Sequence, residues 1–595
     1  MRWHPDSQIC LLLLMHAVAN VAAINFTQCL NDILANANAT QSLAGLLDGN
    51  GDPVSNASDA TSITYALCKS ACGKGAESFQ WSIFSQDLGA WLLPNLALIS
   101  QLPFGARYRP DNFMSAALTV GSPVLAGYSL FITLLNSVWI NRKFDTLKKT
   151  SNSISAASIL SSLQQVPLRL DPDLVKSLIV LPQNDCWLRC FSEFVNYTHT
   201  WSFASATAIA WVVAAFVISV VNSPVDIFIG GSSQADGTAT GSLWLWLIPI
   251  VVGWLQLSPK CDFYRLQEAY ERADQHARTG CTHMGTSTTS TRRALTITAP
   301  DNDVSSPDEL LTPPVFNYSR SFRWASTAHM MFLEFEAEEK YQTSTRVSLP
   351  TPNRQSDSSE TLRVYHTYPP LPHNAQHIHW APGVFIRIFF ASCASLALQW
   401  GTAGAAFMTA WFTPTTRIGC RSISYLIYGS VSTGIWLLLL VSSILAHYSV
   451  QPPSHDTYPA SHYHRALSLN AETQNISYDS YDYLSNQKRL PARRLQVWAR
   501  RISHLLRWAG KALAIANSIW VVLACTFVYS GFYDTCFCNG SVFGRGEAAY
   551  SVIIENTAQA AQLKAASIGA LAMACVTSVF FIGIVNLYIY TRPRL

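Results

Sequence analysis

Seven apolar stretches of 16–29 residues, separated by polar loops, restrict this chain to folds that cross a lipid bilayer several times. They are Met114–Trp139, Trp201–Val221, Ser242–Leu257, Gly383–Trp411, Tyr425–His447, Lys511–Phe532 and Ser567–Tyr590. A helix rises 1.5 Å per residue, so roughly 20 residues cross a hydrocarbon core about 30 Å thick. Backbone amides find no water in that core, so each crossing has to be helical. The expected fold is an all-α polytopic membrane protein. Charged residues are 13% of the chain, about half the usual globular share, because a charge at the bilayer centre costs several kcal/mol. Trp139, Trp201, Trp254, Trp411 and Tyr590 stand at stretch ends, where an amphipathic ring suits the headgroup layer. The net charge of +4 on 595 residues gives no sign of a nucleic-acid partner.

Residues 1–23 read as a signal peptide, with Arg2, an apolar core at Ile9–Met15 and a small-residue cleavage site at Val21-Ala22-Ala23. An uncleaved anchor is the other reading. Segment 24–87 then lies in the lumen or outside the cell, as a small cysteine-containing domain. It carries glycosylation sequons at Asn25, Asn38 and Asn56, and cysteines at Cys29, Cys68 and Cys72. Sugars are added, and disulfides persist, on that side of the membrane.

Basic residues beside the stretches orient the rest, since cytosolic loops are enriched in Lys and Arg. Loop 141–200 opens with Arg142, Lys143, Lys148 and Lys149, which places it inside. Lys260 and Arg265 begin the long loop 258–382, again inside. Loop 448–510 holds Lys488, Arg489, Arg493, Arg494, Arg500, Arg501 and Arg507, and the tail 591–595 holds Arg592 and Arg594. Residues 223–241 contain no Lys or Arg and read as outside. The stretch pairs 383–447 and 511–590, and 114–257 with its three stretches, complete the division. Loop 412–424 runs against this scheme, because it should be outside yet contains Arg417 and Arg421. An eighth apolar stretch, Leu88–Phe104, is broken by Pro94 and Asn95 and closed by Pro103. Proline removes a helical hydrogen bond and disfavours helix before it, so 88–104 reads as a re-entrant or interfacial segment. The result is seven spans, amino end out and carboxyl end in; eight spans is the alternative.

Outside cysteines number six, Cys29, Cys68, Cys72, Cys420, Cys536 and Cys538. Their pairing stays open, although adjacent Cys536 and Cys538 favour separate partners. A fourth outside sequon is Asn539, whereas those at Asn196, Asn317 and Asn475 fall inside and should be unused. Loop 258–382 is Ser/Thr/Pro-rich over 282–314 and 343–372, a composition that orders poorly. Between them Phe322–Tyr341 reads as an amphipathic helix that packs under the spans or docks a cytosolic protein partner. Cys261–Arg278 reads as a second helix, with Glu268 and Arg272 at i,i+4. Cys261, just past a span, is a buried thiol or a palmitate acceptor.

Chemistry is sparse. The histidines at His366, His373, His377 and His379, and at His455, His462 and His464, have only Asp456 as a nearby carboxylate and no nearby thiol. They read as solvated loop residues rather than a metal site. Phosphate-loop, zinc-protease, nucleophile-elbow and dinucleotide signatures are missing from the sequence, so no catalytic, cofactor-binding or metal-ligating residue is assigned. Within the stretches, Arg387 and Lys511 sit near ends and are expected to snorkel. Asn136, Gln399 and Asn517 are expected to hydrogen-bond between helices. No Asp or Glu falls within a stretch, which speaks against proton- or cation-coupled transport.

Three stretches resemble a family of uncharacterised fungal multi-pass membrane proteins: Trp81–Gly105 (WSIFSQDLGAWLLPNLALISQLPFG), Gly241–Asp262 (GSLWLWLIPIVVGWLQLSPKCD) and Gln399–Gly429 (QWGTAGAAFMTAWFTPTTRIGCRSISYLIYG). The resemblance implies a fungal origin and a shared fold, and carries no activity or functional residue. The expected role is a non-enzymatic scaffold or accessory protein of the plasma membrane or another secretory-pathway membrane. A seven-span receptor is the first alternative, and a transporter or channel the second. The bilayer is the one partner implied throughout, and no ligand is named.

Overall fold

The structure is a computed structural model that describes residues 24–77, 79–147, 151–170, 185–195, 201–221, 231–280, 295–297, 304–347, 380–413, 415–450 and 478–590. The readings on 1–23, Lys148, Lys149, Asn196, Asn475, the two histidine groups and the 591–595 tail lie outside these residues. In chain order, α1 (Phe26–Thr40), β1 (Leu46–Leu47) and β2 (Ser62–Thr64) lead to α2 (Trp81–Ile99), α3 (Arg109–Gly121), α4 (Pro123–Asp145) and α5 (Ser151–Ser162). Next come β3 (Arg169–Leu170), α6 (Asp185–Val195), α7 (Phe203–Val221), α8 (Gly231–Trp244), α9 (Leu247–Leu257) and α10 (Phe263–Gly280). Then follow β4 (Leu295–Thr296), α11 (Asn317–Val347), α12 (Val384–Phe412), α13 (Cys420–Ser449), α14 (Tyr478–Tyr529), β5 (Tyr550–Val552) and α15 (Thr557–Tyr590).

Among the described residues six helical segments are long and apolar enough to cross a membrane: Pro123–Asp145, Asp236–Leu257, Val384–Phe412, Cys420–Ser449, Arg494–Tyr529 and Thr557–Tyr590. α7 adds a shorter apolar helix over Phe203–Ile218. The protein is thus a largely helical, multi-pass membrane protein. The outer helices present bare apolar faces, as at Phe385, Ile386, Phe389 and Phe390 on α12 and Val576, Val579 and Phe580 on α15. In water such faces would need a partner; in lipid they need none. At the centre α4 is buried on nearly every side.

One end of the bundle is closed by cysteines. Cys420 at the start of α13 bonds Cys538, and Cys68 bonds Cys536. Cys29 and Cys72 fasten α1 to the following segment. A three-stranded antiparallel sheet in the order β1-β2-β5 lies at this end, with Leu46 opposite Ile63 and Thr64 opposite Tyr550. Its third strand comes from residues 550–552, so the sheet of segment 24–87 is completed by a distant part of the chain. A short strand buries too little apolar surface to stand alone, and β5 supplies the missing edge. The other end is basic, and α5, α6, α10 and α11 pack there. The expected helix at Phe322–Tyr341 lies inside α11, where Trp324, Met331 and Phe335 are buried. Trp324 donates through Nε1 to the Leu160 carbonyl, and Phe332 and Phe335 meet Phe144 of α4. Its apolar face is therefore covered from within the chain. The second expected helix is α10, with its Glu268–Arg272 pair formed.

Two stretches differ in shape from a plain reading of their composition. Met114–Trp139 is not one straight helix: Ser122 breaks it into α3 and α4, which fold into a hairpin. Near the start of α3, Asn112 accepts hydrogen bonds from Gly105 and Ala106, and Gly105 lies against Cys261 and Asp262 at the basic end. α4 returns to the same end, where Trp139 meets Trp324 and Lys143 meets Phe332. The Gly121-Ser122-Pro123 sequence explains the break. Ser122 caps α4 by accepting from Leu125 N, and Pro123 needs no helical donor at a first-turn position. The 88–104 stretch, expected to be re-entrant or interfacial, lies largely in one continuous helix, α2. Glu77 just before it donates its N–H to the Asp534 carbonyl at the disulfide end, and Leu102 just after it packs on Trp254 and Val315 at the basic end. Pro94 lies inside this helix, and the neighbouring Asn95 donates its amide to the Trp91 carbonyl at 2.9 Å. The third stretch is also longer than its apolar core, beginning at Asp236.

Candidate functional site

The α3–α4 hairpin ends about halfway along α13 and α14. Its turn is fastened by polar groups exchanged with those two helices. Asn517 donates to the Gly121 carbonyl at 2.7 Å and to the Tyr428 carbonyl at 3.2 Å. Tyr428 donates its hydroxyl to the Val120 carbonyl, and Ser122 donates to the Ser432 carbonyl, both at 2.8 Å. Two of these bonds occupy the Val120 and Gly121 carbonyls that the end of α3 leaves open, as a helix terminus inside an apolar bundle requires. On the other side of the hairpin Gly127 packs on Ser395 of α12. One turn further along α12 is Gln399, fully buried, with neither amide atom hydrogen-bonded among the described residues. Mid-depth therefore holds a broken helix, fixed amide and hydroxyl groups, and one unused amide. Asn517 fulfils its expected role between helices; Gln399 does not.

Beyond the turn toward the disulfide end, Arg421 forms ion pairs with Asp236 of α8 (3.3 Å) and with Asp534 (2.6 Å). Thr240 and Tyr425 share a hydrogen bond one helical turn deeper. Arg421, which contradicts the positive-inside pattern in sequence, is neutralised here by two carboxylates. Arg417 is exposed and donates to the Gly544 carbonyl. Asp236 corrects the expectation that no acidic residue enters a span, since it is buried at the first turn of Asp236–Leu257. Glu77 lies nearby, and burial followed by the Asp534 charge raises its carboxyl above the usual range.

Toward the basic end, residues 305–316 tuck under the hairpin. Asp308 is 2% exposed. Its carboxylate binds Lys511 Nζ at 2.5 Å, faces Arg507 at 3.8 Å and accepts the Tyr318 hydroxyl. Lys511, expected to snorkel, is thus held by a loop carboxylate. Burial, then the Asp308 charge, keeps the Tyr318 phenol well above its ordinary range, so it remains a donor. Glu309 pairs with Arg323 at 3.6 Å, and the Val315 carbonyl accepts from Ser129 of α4 at 3.2 Å. The sequence reading missed this segment because Asp308 and Glu309 fall in Ser/Thr/Pro-rich sequence with no periodicity. Its only local signal is Pro307-Asp308-Glu309-Leu310, a short helical turn.

The six cysteines expected on the outer side all lie at the disulfide end, as the three pairs given above. Asn25, Asn38 and Asn56 are exposed there, and Asn25 caps α1 by accepting from Gln28 N. That cap uses Oδ1 and leaves Nδ2 for modification. Asn539 is half-buried beside Cys538. Asn317, assigned no sugar, is 3% exposed and donates to Thr133. Expression in a glycosylating host should accordingly give mass shifts lost on Asn25→Gln, Asn38→Gln or Asn56→Gln, and a smaller shift lost on Asn539→Gln. A sugar retained at Asn317 alone would contradict this placement. Cys261 is fully buried, and burial pushes its thiol up to about 12, which leaves no accessible thiolate for acylation.

No protein-family model, curated protein or solved structure matches the chain.

Proposed function

We propose that the chain is a seven-span protein of the cell surface or another secretory-pathway membrane, and that its bundle carries a small polar solute across the bilayer. The crossings are α2, α7, α8–α9, α12, α13, α14 and α15. The α3–α4 hairpin is re-entrant from the cytosol, which keeps Arg142 and Lys143 inside. The disulfide end faces out, where disulfides persist, and the carboxyl end lies inside. The span number equals that read from sequence, with the 88–104 and 114–139 stretches exchanged.

One observation carries the transport reading: a helix hairpin ends at mid-depth between two sets of buried ion pairs. Broken helices at the midplane are the usual sites of solute contact in transporters, because a helix end offers polar backbone where continuous helices offer none. Buried charges are costly and add little stability over apolar packing, so their retention at both mouths favours a gating role. In this reading Arg421–Asp236–Asp534 closes the outer mouth, Asp308–Lys511–Arg507 closes the inner one, and Gln399 and Asn517 face the solute. Scaffolding, the role composition favours, requires none of these groups. A sensor reading draws on a different feature, the Cys68–Cys536 bond tying the outer domain to the segment between α14 and α15.

Purified protein reconstituted in liposomes, tested with labelled amino acids, sugars and inorganic ions, should take up at least one of them. Arg421→Gln, which unlatches the outer mouth, should change that rate by about tenfold or more, the kinetic equivalent of about 1.4 kcal/mol. Uniform impermeability of wild type and variant toward all three classes would sink the reading.

A further inference from the structure

Arg387, in the first turn of α12, was expected to reach water and does the opposite. It is 7% exposed, and its guanidinium lies over the Trp139 ring of α4 at 4.1 Å. None of its three side-chain nitrogens has a hydrogen-bond acceptor among the described residues. An aromatic face offers a cation modest attraction, yet a guanidinium brings five N–H donors that an aromatic ring leaves unmet. Buried donors of this kind ordinarily meet a water or an ion.

The surroundings select which. Lys143 approaches the same Trp139 ring at 5.8 Å and the Phe332 ring at 4.6 Å. His329 stacks on Phe332, is 6% exposed, and its Nδ1 has no partner among the described residues. Three basic groups from α4, α11 and α12 therefore gather around two aromatic rings. The facing carboxylate is Glu336, which already binds Lys340 at 2.8 Å. Tyr128 lies close to Arg387 on the α4 side. Burial, followed by the charges of Lys143 and then Arg387, lowers His329 to about 4 despite Glu336. Positive charge is in surplus.

We infer that the Arg387–Lys143–His329 cluster is an anion site that takes a phosphate group, held in a fork by Arg387 and neutralised by Lys143. A guanidinium matches two phosphate oxygens at once, and a lysine adds a point charge. Its depth, at the first turn of a span on the basic side, is that of lipid headgroups, so the phosphate belongs either to an anionic phospholipid or to a free phosphate compound. The inference does not depend on the transport reading.

The full chain, purified in mild detergent, would be tested by native mass spectrometry and by thermal unfolding against three additions. These are phosphatidylcholine vesicles, vesicles containing phosphatidylinositol phosphate or phosphatidylserine, and inorganic phosphate. Retention of anionic phospholipid but not phosphatidylcholine, with at least tenfold weaker retention in Arg387→Gln and partial loss in Lys143→Gln, supports a headgroup site. A stabilisation by inorganic phosphate that the same variants abolish supports a free phosphate. Wild-type protein that gains neither bound lipid nor thermal stability from any addition overturns the site. Should Arg387→Gln fail to fold, the wild-type arms and Lys143→Gln still decide.

Discussion

Asp308→Ala will destabilise the protein by about 3–5 kcal/mol, the usual cost of removing one partner from a buried ion pair. At 2% exposure the Asp308 carboxylate is the counter-ion for Lys511 and faces Arg507. Without it the Arg507 guanidinium, itself 6% exposed, stays buried beside an unpaired ammonium. Tyr318 loses its acceptor as well. Asp308→Asn should fall between, because an amide oxygen still accepts from Tyr318 while the charge is gone. Combining Asp308→Ala with Lys511→Met should recover part of the loss, since the second change removes one orphaned charge. Thermal unfolding of the detergent-solubilised chain, with limited proteolysis around 305–316, reads all three. An Asp308→Ala protein as stable and as protease-resistant as wild type would show that the carboxylate does not hold the segment in place.

Gly121→Val comes next in size. A Cβ at Gly121 would stand 2.1 Å from the Ala514 carbonyl oxygen, a contact with backbone that no rotamer change relieves. The two helices approach this closely only because position 121 has no side chain. The expected cost is about 3 kcal/mol, the upper part of the range for overpacking. Losing the Asn517 bond to the Gly121 carbonyl would accompany it. Gly434→Ala is the control: its added Cβ meets nothing within 4 Å, and alanine favours helix. Equal unfolding temperatures for Gly121→Val and Gly434→Ala would mean that the hairpin turn does not sit against α14. If the turn also forms the solute path, Gly121→Val protein that survives purification should show reduced uptake.

How much of this was legible in the sequence differs from element to element. The spans at Gly383–Trp411 and Tyr425–His447 could be read because lipid solvates one face and protein the other, so apolar residues run uninterrupted. α8 could not: Ser, Thr and Gly dominate Gly231–Ser242, and only burial against neighbouring helices shows why such residues belong there. The break at Ser122 and the unbroken course of α2 were not legible for a common reason. Proline and glycine mark weak points in a helix, but whether the chain bends there depends on who meets the freed backbone groups. At Pro94 the helix continues, with the Asn95 side chain bonded to the Trp91 carbonyl of the preceding turn. At Ser122 the partners are Asn517, Tyr428 and Ser432, more than 300 residues away, and the helix turns back.

Arg417 and Arg421 show the same division for charge. Counting basic residues in loops treats each as solvated, which holds for Arg142, Arg494, Arg500 and Arg501 and fails for Arg507, buried against Asp308, and for Arg421, whose charge is cancelled by Asp236 and Asp534. The sequence by itself determined that this is a helical membrane protein, roughly how many helices it has, and which cysteines share a side, because bilayer thickness and redox compartment act on local composition. Only the tertiary structure decided where a helix breaks and turns back, how those cysteines pair, and where Asp308, Arg387 and Gln399 point. Those outcomes depend on hydrogen bonds and ion pairs between distant segments, which no local pattern of residues encodes.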